Sequence, residues 1–516
     1  MSTDAEGDQV LIVGGGPVGL TLALGLAYHG VRSTVIERDL TTPRGSRAFG
    51  IWGRTLEILE DWGLVEAFLA EGDRRARVAP ADVRTERPIF SLDFSPLAEE
   101  SAMPGIVLLP QASTERLLRD AIAAEPLATV VGAECLSARD EGDHVVAVVR
   151  DDAGVRELRG SYLVAADGSR SVVREGLGMR HRGQIITVNL LVFDVELEDG
   201  GLEPIRIDPT RRGLLAALRF EPGRWRVLMT MPSDPVPVSL PTEGPPPRRP
   251  DVPVGELAPA VNRLFGERSH RVTWQSQTTL YQQAVPRFRV GRIVLAGDSA
   301  HLISPAGGQG MNQGLQDAEN LAWTLAVVVA GADPDRMLDG YDRERRDIAT
   351  AVRRRAYLNS LLEVRTPVWT RPAAFWAMRI LLRSRTASRL LTRRLSMRDL
   401  RYRGRHSGRL LGGGWWGARR AVGRRVPDAV LRSGERLASL LGGRAAVVGI
   451  GVEPPAIDGL ATVAVLDARD ARRGLRRSLR RGHVLLVRPD RHVAAVLRDP
   501  TAADLAAAAR ATGLVP

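Results

Sequence analysis

Four consecutive apolar residues, Val10 to Val13, run straight into Gly14-Gly-Gly-Pro-Val-Gly19, and no other stretch restricts the fold of this chain more. An apolar helical stretch follows to about His29, then a second apolar strand, Ser33 to Ile36, that ends at Glu37. Strand, G-x-G-x-x-G turn, helix, strand and an acid 18 residues past the last glycine point to an open, parallel α/β sheet that binds a dinucleotide. Gly14 suits the tight turn, Gly16 lets the backbone approach a pyrophosphate at the helix N-terminus, and Gly19 permits close helix-on-strand packing. Glu37 can bind both hydroxyls of an adenosine ribose and would repel a 2′-phosphate. The stretch therefore reads as an FAD or NAD site rather than an NADP site, with Arg38 beside Glu37 among the cofactor candidates. A second match, Gly412 to Gly417, has no apolar strand before it and no apolar helix after it, and reads as a loop.

Arg292 to Leu325 repeats the logic far downstream. Ile293 to Ala296 fits a strand buried on both faces, and Asp298 follows it as a carboxylate that can accept hydrogen bonds from sugar or polyol hydroxyls. Pro305-Ala-Gly-Gly-Gln-Gly310, with Gly308 at its centre, keeps side chains away from a flat ligand. Met311 and Asn312 then open a helix to about Val329. The free N–H groups and partial positive charge of that helix start would stabilise negative charge on a reduced flavin. Asp167, in Asp167-Gly-Ser-Arg-Ser-Val-Val-Arg174, is a second acidic turn at a strand's carboxyl end. Arg47 is a candidate phosphate partner, and Gln111, at a strand-to-helix junction, can face the ligand.

At 516 residues the chain is too long for one core. All 72 basic residues are arginine, which excludes lysine-dependent chemistry such as pyridoxal-phosphate Schiff bases and Walker-type loops. The arginines behind the net charge of +12 are spread among acids through much of the chain, so a solvated surface is expected rather than nucleic-acid binding. Cys135 is the only cysteine, and His483 and His492 have no ligand-spaced partners, so neither a disulfide nor a metal site is expected. An acidic N-terminus and a longest apolar run of only Leu321 to Ala330 argue for a cytoplasmic protein without stable membrane insertion. Alternating strands from about Met179 to Val290, interrupted by a proline-rich surface loop from Pro235 to Pro253, indicate a separate sheet that can wall a substrate pocket. Arginine-rich helices to about Arg401 follow; their Trp369, Phe375 and Trp376 are expected to pack on the main domain rather than on a membrane surface.

These residues together resemble the class A FAD-dependent aromatic hydroxylases related to phenol and para-hydroxybenzoate hydroxylase, and more closely their actinobacterial polyketide- and antibiotic-tailoring branch. The glycine fingerprint with Glu37, the Asp167-Gly168 motif with Arg174, and Gly297-Asp298 followed by Pro305 to Asn312 carry the likeness. It implies a Rossmann-like FAD-binding domain (1–178 and 288–345), an inserted substrate-binding sheet (179–287), a helical linker (346–405) and a thioredoxin-like C-terminal domain without redox cysteines (406–516). It further implies that NADPH or NADH reduces FAD without a nicotinamide domain, and that reduced flavin captures O2 as a hydroperoxide attacked by an electron-rich phenolic ring of a polycyclic small-molecule substrate. By the same resemblance Asp298 meets the ribityl chain, Gly307 to Asn312 lies against the isoalloxazine, and Arg47, Gln111 and Asp167 add cofactor contacts. Phe49 stands where phenol-hydroxylating relatives carry an acid, and no catalytic base can be named. Arg219, Trp225 and Tyr281 are candidate pocket-lining residues. A homodimer is left open. The competing readings are Baeyer-Villiger oxygenation, an NAD-dependent dehydrogenase and a non-catalytic flavin-binding protein.

Overall fold

The computed structural model describes residues 9–41, 48–198, 200–210, 213–230, 239–243, 250–303, 307–365, 367–403, 411, 421–428, 430–431, 434–466 and 481–515. Its principal elements are β1 (Val10–Val13), α1 (Pro17–Tyr28), β2 (Ser33–Glu37), β3 (Tyr162–Ala165), β4 (Arg182–Leu197), β5 (Arg224–Thr230), β6 (His270–Ala284), β7 (Ile293–Leu295), α2 (Gly310–Val329), α3 (Pro334–Arg365) and α4 (Arg371–Arg383). The fold is mixed α/β.

A six-stranded sheet has the order Arg289–Val290, β7, β3, β1, β2, Ala128–Gly132, parallel except for the first strand. β1, β3 and β7 are buried along their whole length, as strands covered on both faces must be. Pro17 opens α1, where its missing N–H costs nothing. Every residue from Gly19 to Ala27 is buried because α1 is wedged between the sheet and α2. Gly25 makes that approach possible: a Cβ there would sit 2.9 Å from the Cβ of Ala322 on α2.

A second, mainly antiparallel eight-stranded sheet is built on β4, β5 and β6, and it includes Leu215–Glu221 between β5 and Ile205–Ile207. Alternation sorts its side chains. Phe193, Trp225 and Val227 bury one face against the helix Val254–Phe265, whereas Asp194 and Arg226 occupy the other. Within the expected proline-rich loop, Ser239–Glu243 forms a strand instead, paired with β4 on one side only, and Pro241 is tolerated on such an edge strand.

Near the C-terminus the strands Ala446–Ile450, Ala461–Leu466, His483–Val487 and Val493–Arg498 form a four-stranded sheet in the order second, first, third, fourth, with the third antiparallel to its neighbours. The apolar core of the six-stranded sheet continues without a break into this one. One sequence expectation fails between them. Trp369 and Trp376 do not pack on the main domain: they are 82% and 66% exposed, and Phe375 alone is half-buried, with its ring centroid 6.4 Å from that of Phe90. Among the described residues no helix is long and apolar enough to cross a membrane.

Candidate functional site

Parallel pairing puts Ile36, Val13, Ala165 and Leu295 in one line across β2, β1, β3 and β7. Glu37, Gly14, Asp167 and Gly297-Asp298 follow them, so all four motifs sit along the carboxyl edge of one sheet, where such sheets bind ligands. At the usual strand spacing the row spans roughly 14 Å, suited to an extended dinucleotide.

The glycines of the first motif divide by what a side chain would meet. A Cβ on Gly14, whose φ is +108°, would strike the backbone of Ala166 and Asp167, and one on Gly19 would overlap the Gly14 carbonyl. A Cβ on Gly16 meets no protein atom within 4 Å. The turn is thus tight where protein packs on it and open at the helix N-terminus, which is the cradle a pyrophosphate requires. Glu37 accepts the Gly15 N–H at 2.6 Å and the Asp39 N–H at 2.9 Å, which fixes its carboxylate beside the cradle, and Arg38 is exposed next to it. Asp167 accepts the Val173 N–H at 3.3 Å, while its Oδ1 is buried with no hydrogen-bond partner among the described residues. Burial pushes that carboxyl upward. Gln111 opens the helix Gln111–Ala123 and donates to Glu115 at 2.7 Å. Arg47 and Pro305 lie outside the described residues.

Gly297 takes φ +62° and packs under Val18 of α1, leaving Asp298 exposed at the sheet edge. Gly307 and Gly308 both have positive φ, and α2 begins at Gly310, with Met311 half-buried. Asn312 departs from the expected role in one respect. Its side chain is consumed by protein: it accepts the Trp52 N–H at 2.9 Å and donates to the Gly50 and Gly308 carbonyls at 2.8 and 2.9 Å. Only its main chain is left to face a ligand. Trp52, which sequence reasoning passed over, donates from its indole to the Gly307 carbonyl at 3.0 Å and holds the loop from the other side.

Asp317, fully buried on α2, was also missed. It accepts from the Gly297 N–H at 3.1 Å, His301 at 2.6 Å and Arg345 at 2.6 Å, tying the acidic turn to α2 and α3. Burial raises its carboxyl, but the Arg345 and His301 charges outweigh that and hold it below the ordinary range. The network runs on: Arg345 donates to the Tyr402 hydroxyl, Asn320 donates to Tyr402, Glu344 and Asp490, and Arg488 pairs with Glu344 and Asp490. The sequence does carry a signal: Gln313, Asp317, Asn320 and Thr324 form one helical stripe, and all four are buried.

In the second sheet, Arg226 of β5 makes two 2.8 Å bonds to Asp194, donates to the Ala48 carbonyl at 3.2 Å, and lies 5.2 to 5.7 Å from the rings of Phe49, Phe220 and Trp274. Trp225 does not line this wall: it is fully buried on the opposite face of the sheet, 5.0 Å from Phe265, and Arg219 stacks over it at 5.8 Å. Strand alternation, which sends neighbours to opposite faces, is the reason. Tyr281 is buried near the end of β6, two residues before Gln283 pairs with Leu302 at the entry to the glycine loop.

A family model described as an FAD binding domain matches residues 8–356. An uncharacterized aromatic compound monooxygenase of Bacillus subtilis (strain 168) is 33% identical over 503 residues, 94% of this chain and 93% of its own. A 12-dehydrotetracycline 5-monooxygenase/anhydrotetracycline 6-monooxygenase of Streptomyces rimosus is 31% identical over 525 residues, 96% of each chain. Among solved structures, the anhydrotetracycline hydroxylase of Streptomyces rimosus aligns with a TM-score of 0.75 and 28% identity, covering 98% of this chain and 99% of its own.

Proposed function

The chain belongs to the FAD binding domain family, as a flavoprotein monooxygenase of the aromatic hydroxylase class, and from that premise we propose that it hydroxylates a phenolic, polycyclic compound of the polyketide or antibiotic type. The observation that carries this reading is the row of Glu37, Gly14, Asp167 and Asp298 along the carboxyl edge of one sheet. Bound FAD supplies the redox chemistry: with NADPH or NADH as electron source and O2 as co-substrate, one oxygen atom goes to the ring and the other to water. The chain's own residues bind and orient. The open Gly16 cradle and Glu37 would take the pyrophosphate and adenosine ribose, Asp298 the ribityl hydroxyls, and the α2 N-terminus the pyrimidine edge. Phe49 and Trp274 offer flat apolar surface to a fused-ring substrate and exclude water, and the buried Arg226–Asp194 pair with Phe220 holds that wall in place.

We read residues 179–287 as the substrate-binding sheet inserted between the two halves of the FAD-binding domain. The strand order and directions near the C-terminus support a thioredoxin-like unit there. Baeyer-Villiger oxygenation is not favoured, because the relatives' names include an aromatic compound monooxygenase and an anhydrotetracycline hydroxylase. The test is NADPH and NADH oxidation by purified holoenzyme with a panel of polycyclic phenols under ¹⁸O2, with product analysis by mass and NMR. A product carrying one labelled oxygen on an intact ring is expected. Colourless protein without flavin absorption, or a labelled lactone, would overturn the reading.

A further inference from the structure

The helix α4 carries apolar residues on two opposite faces, and the described residues cover only one of them. On the covered face, Leu382 packs beside Trp52, Phe94 and Leu97, Phe375 meets Phe90, and Arg371 donates to the Pro209 and Gly213 carbonyls at 3.2 Å each. On the other face stand Trp376, Ile380 and Leu381, the last two 43% and 53% exposed, with Trp369 projecting from the turn just before the helix. A helix apolar on both sides is expected to be buried, and an exposed cluster of this kind marks an interaction surface.

Charge decides among the possible occupants. From Val364 to Arg398 the sequence holds nine arginines and no Asp or Glu, whereas the whole chain has 60 acids. Five of the nine are engaged within the protein: Arg371 as above, Arg389 and Arg393 with Glu100, Arg394 with Asp399, and Arg398 with Glu57. Arg379, Arg383 and Arg385 are exposed beside the tryptophans and have no acidic partner among the described residues. A second copy of the chain would set these arginines against their own kind. A nucleic acid would satisfy the arginines and could stack on indoles, but it would leave the aliphatic Ile380 and Leu381 wet. An anionic lipid surface satisfies all three groups at once: arginines at the phosphates, indoles at the headgroup level, aliphatic chains below. With 13 residues, α4 is about 20 Å long and can lie in the interface plane without spanning it.

We propose that the outer face of α4, with Trp369, is a docking surface for anionic membranes. It lies against the edge of the substrate sheet through Arg371, so a docked enzyme would meet a lipid-dissolved substrate from that side. The proposal concerns the surface and does not depend on which compound is oxygenated.

Flotation of the holoenzyme with vesicles tests it, using phosphatidylglycerol and phosphatidylcholine in equal parts against pure phosphatidylcholine. Binding to the anionic vesicles alone is expected, weakening as salt is raised. The double variant Trp369→Ser/Trp376→Ser should lose about tenfold or more in partitioning, and Arg379→Glu/Arg383→Glu a comparable amount at roughly fivefold per arginine removed. Flavin occupancy and NADPH oxidation should be unchanged in both, which separates lost docking from lost folding. Several results would overturn the proposal: no flotation with either vesicle, equal flotation with neutral ones, full flotation of the tryptophan variant, or tighter binding to a single-stranded RNA than to the anionic vesicles. A dimer in light scattering that the tryptophan variant converts to monomer would assign the face to a second copy and equally overturn it.

Discussion

Gly16→Ala separates the part of the glycine turn that serves the fold from the part that serves a ligand. Gly16 has φ −77° and ψ −179°, a conformation any residue adopts, and its Cβ would meet no protein atom within 4 Å. The substitution should therefore leave the apoprotein's stability unchanged or raise it by about 0.4–1 kcal/mol, through loss of glycine's freedom in the unfolded chain. The same methyl projects into the space assigned to the pyrophosphate. Crowding a closely packed contact costs about 1–3 kcal/mol, so Kd for FAD should rise roughly 5- to 150-fold. Gly19→Ala is the counterpart: its Cβ overlaps the Gly14 carbonyl, and the variant should fail to fold. The assay is thermal unfolding of the apoprotein beside a flavin-fluorescence titration. A Gly16→Ala protein with wild-type affinity for FAD would show that the turn does not cradle the pyrophosphate, and a large loss of apoprotein Tm would show that the space is not open.

Asp298→Ala removes an exposed carboxylate, so the apoprotein's Tm should hold while FAD affinity falls about tenfold or more, the worth of a hydrogen bond to a charged group; an unchanged titration would give the turn another role. Arg488→Met strands Glu344 and Asp490 as buried charges without their main partner, and urea unfolding should report a loss of about 3–5 kcal/mol. A change under about 1 kcal/mol would contradict that reading of the network. His181 is fully buried, and burial, reinforced by the Arg174 and His301 charges, pushes its imidazole down to about 3. Below pH 6.5 the unfolded chain takes up a proton that the folded chain refuses, so this residue makes stability fall with falling pH by about 1.4 kcal/mol per pH unit. His29, pushed by burial to about 4, adds to the slope. Glu57 adds below pH 4.5: burial raises its carboxyl, but Arg425, Arg398 and Arg54 hold it at about 2. His181→Leu should flatten the slope between pH 6 and 4, and an unaltered slope in denaturant titrations would refute the assignment.

The strands, turns and helix starts that carry the cofactor candidates were legible because their signals are local. An apolar strand, a glycine turn and a helix start lie within about twenty residues of each other at both Val10 to Tyr28 and Ile293 to Asn312, and short-range sterics decide them. The substrate half was not legible. Trp225 and Arg226 are neighbours of the same strand, yet one is core and the other faces the aromatic wall; sequence shows the alternation without saying which face meets the flavin domain. Asn312 reads as a ligand contact because it opens a helix, but its side chain is claimed by Gly308 in the preceding loop and by Gly50 and Trp52, which come from more than 250 residues away.

The sequence alone thus determined most of the elements around the glycine motifs, the chemistry of their termini and the exclusion of lysine-dependent chemistry and of an intrachain disulfide, since these depend on residue type and spacing. Only the tertiary structure decided which motifs share an edge, that Asp317 and the Arg488 network bind the acidic turn to the C-terminal sheet, and that Trp369 and Trp376 stay exposed. The physical reason is that strand register, burial and charge pairing are properties of two surfaces in contact, and a single stretch of chain specifies only one of the two.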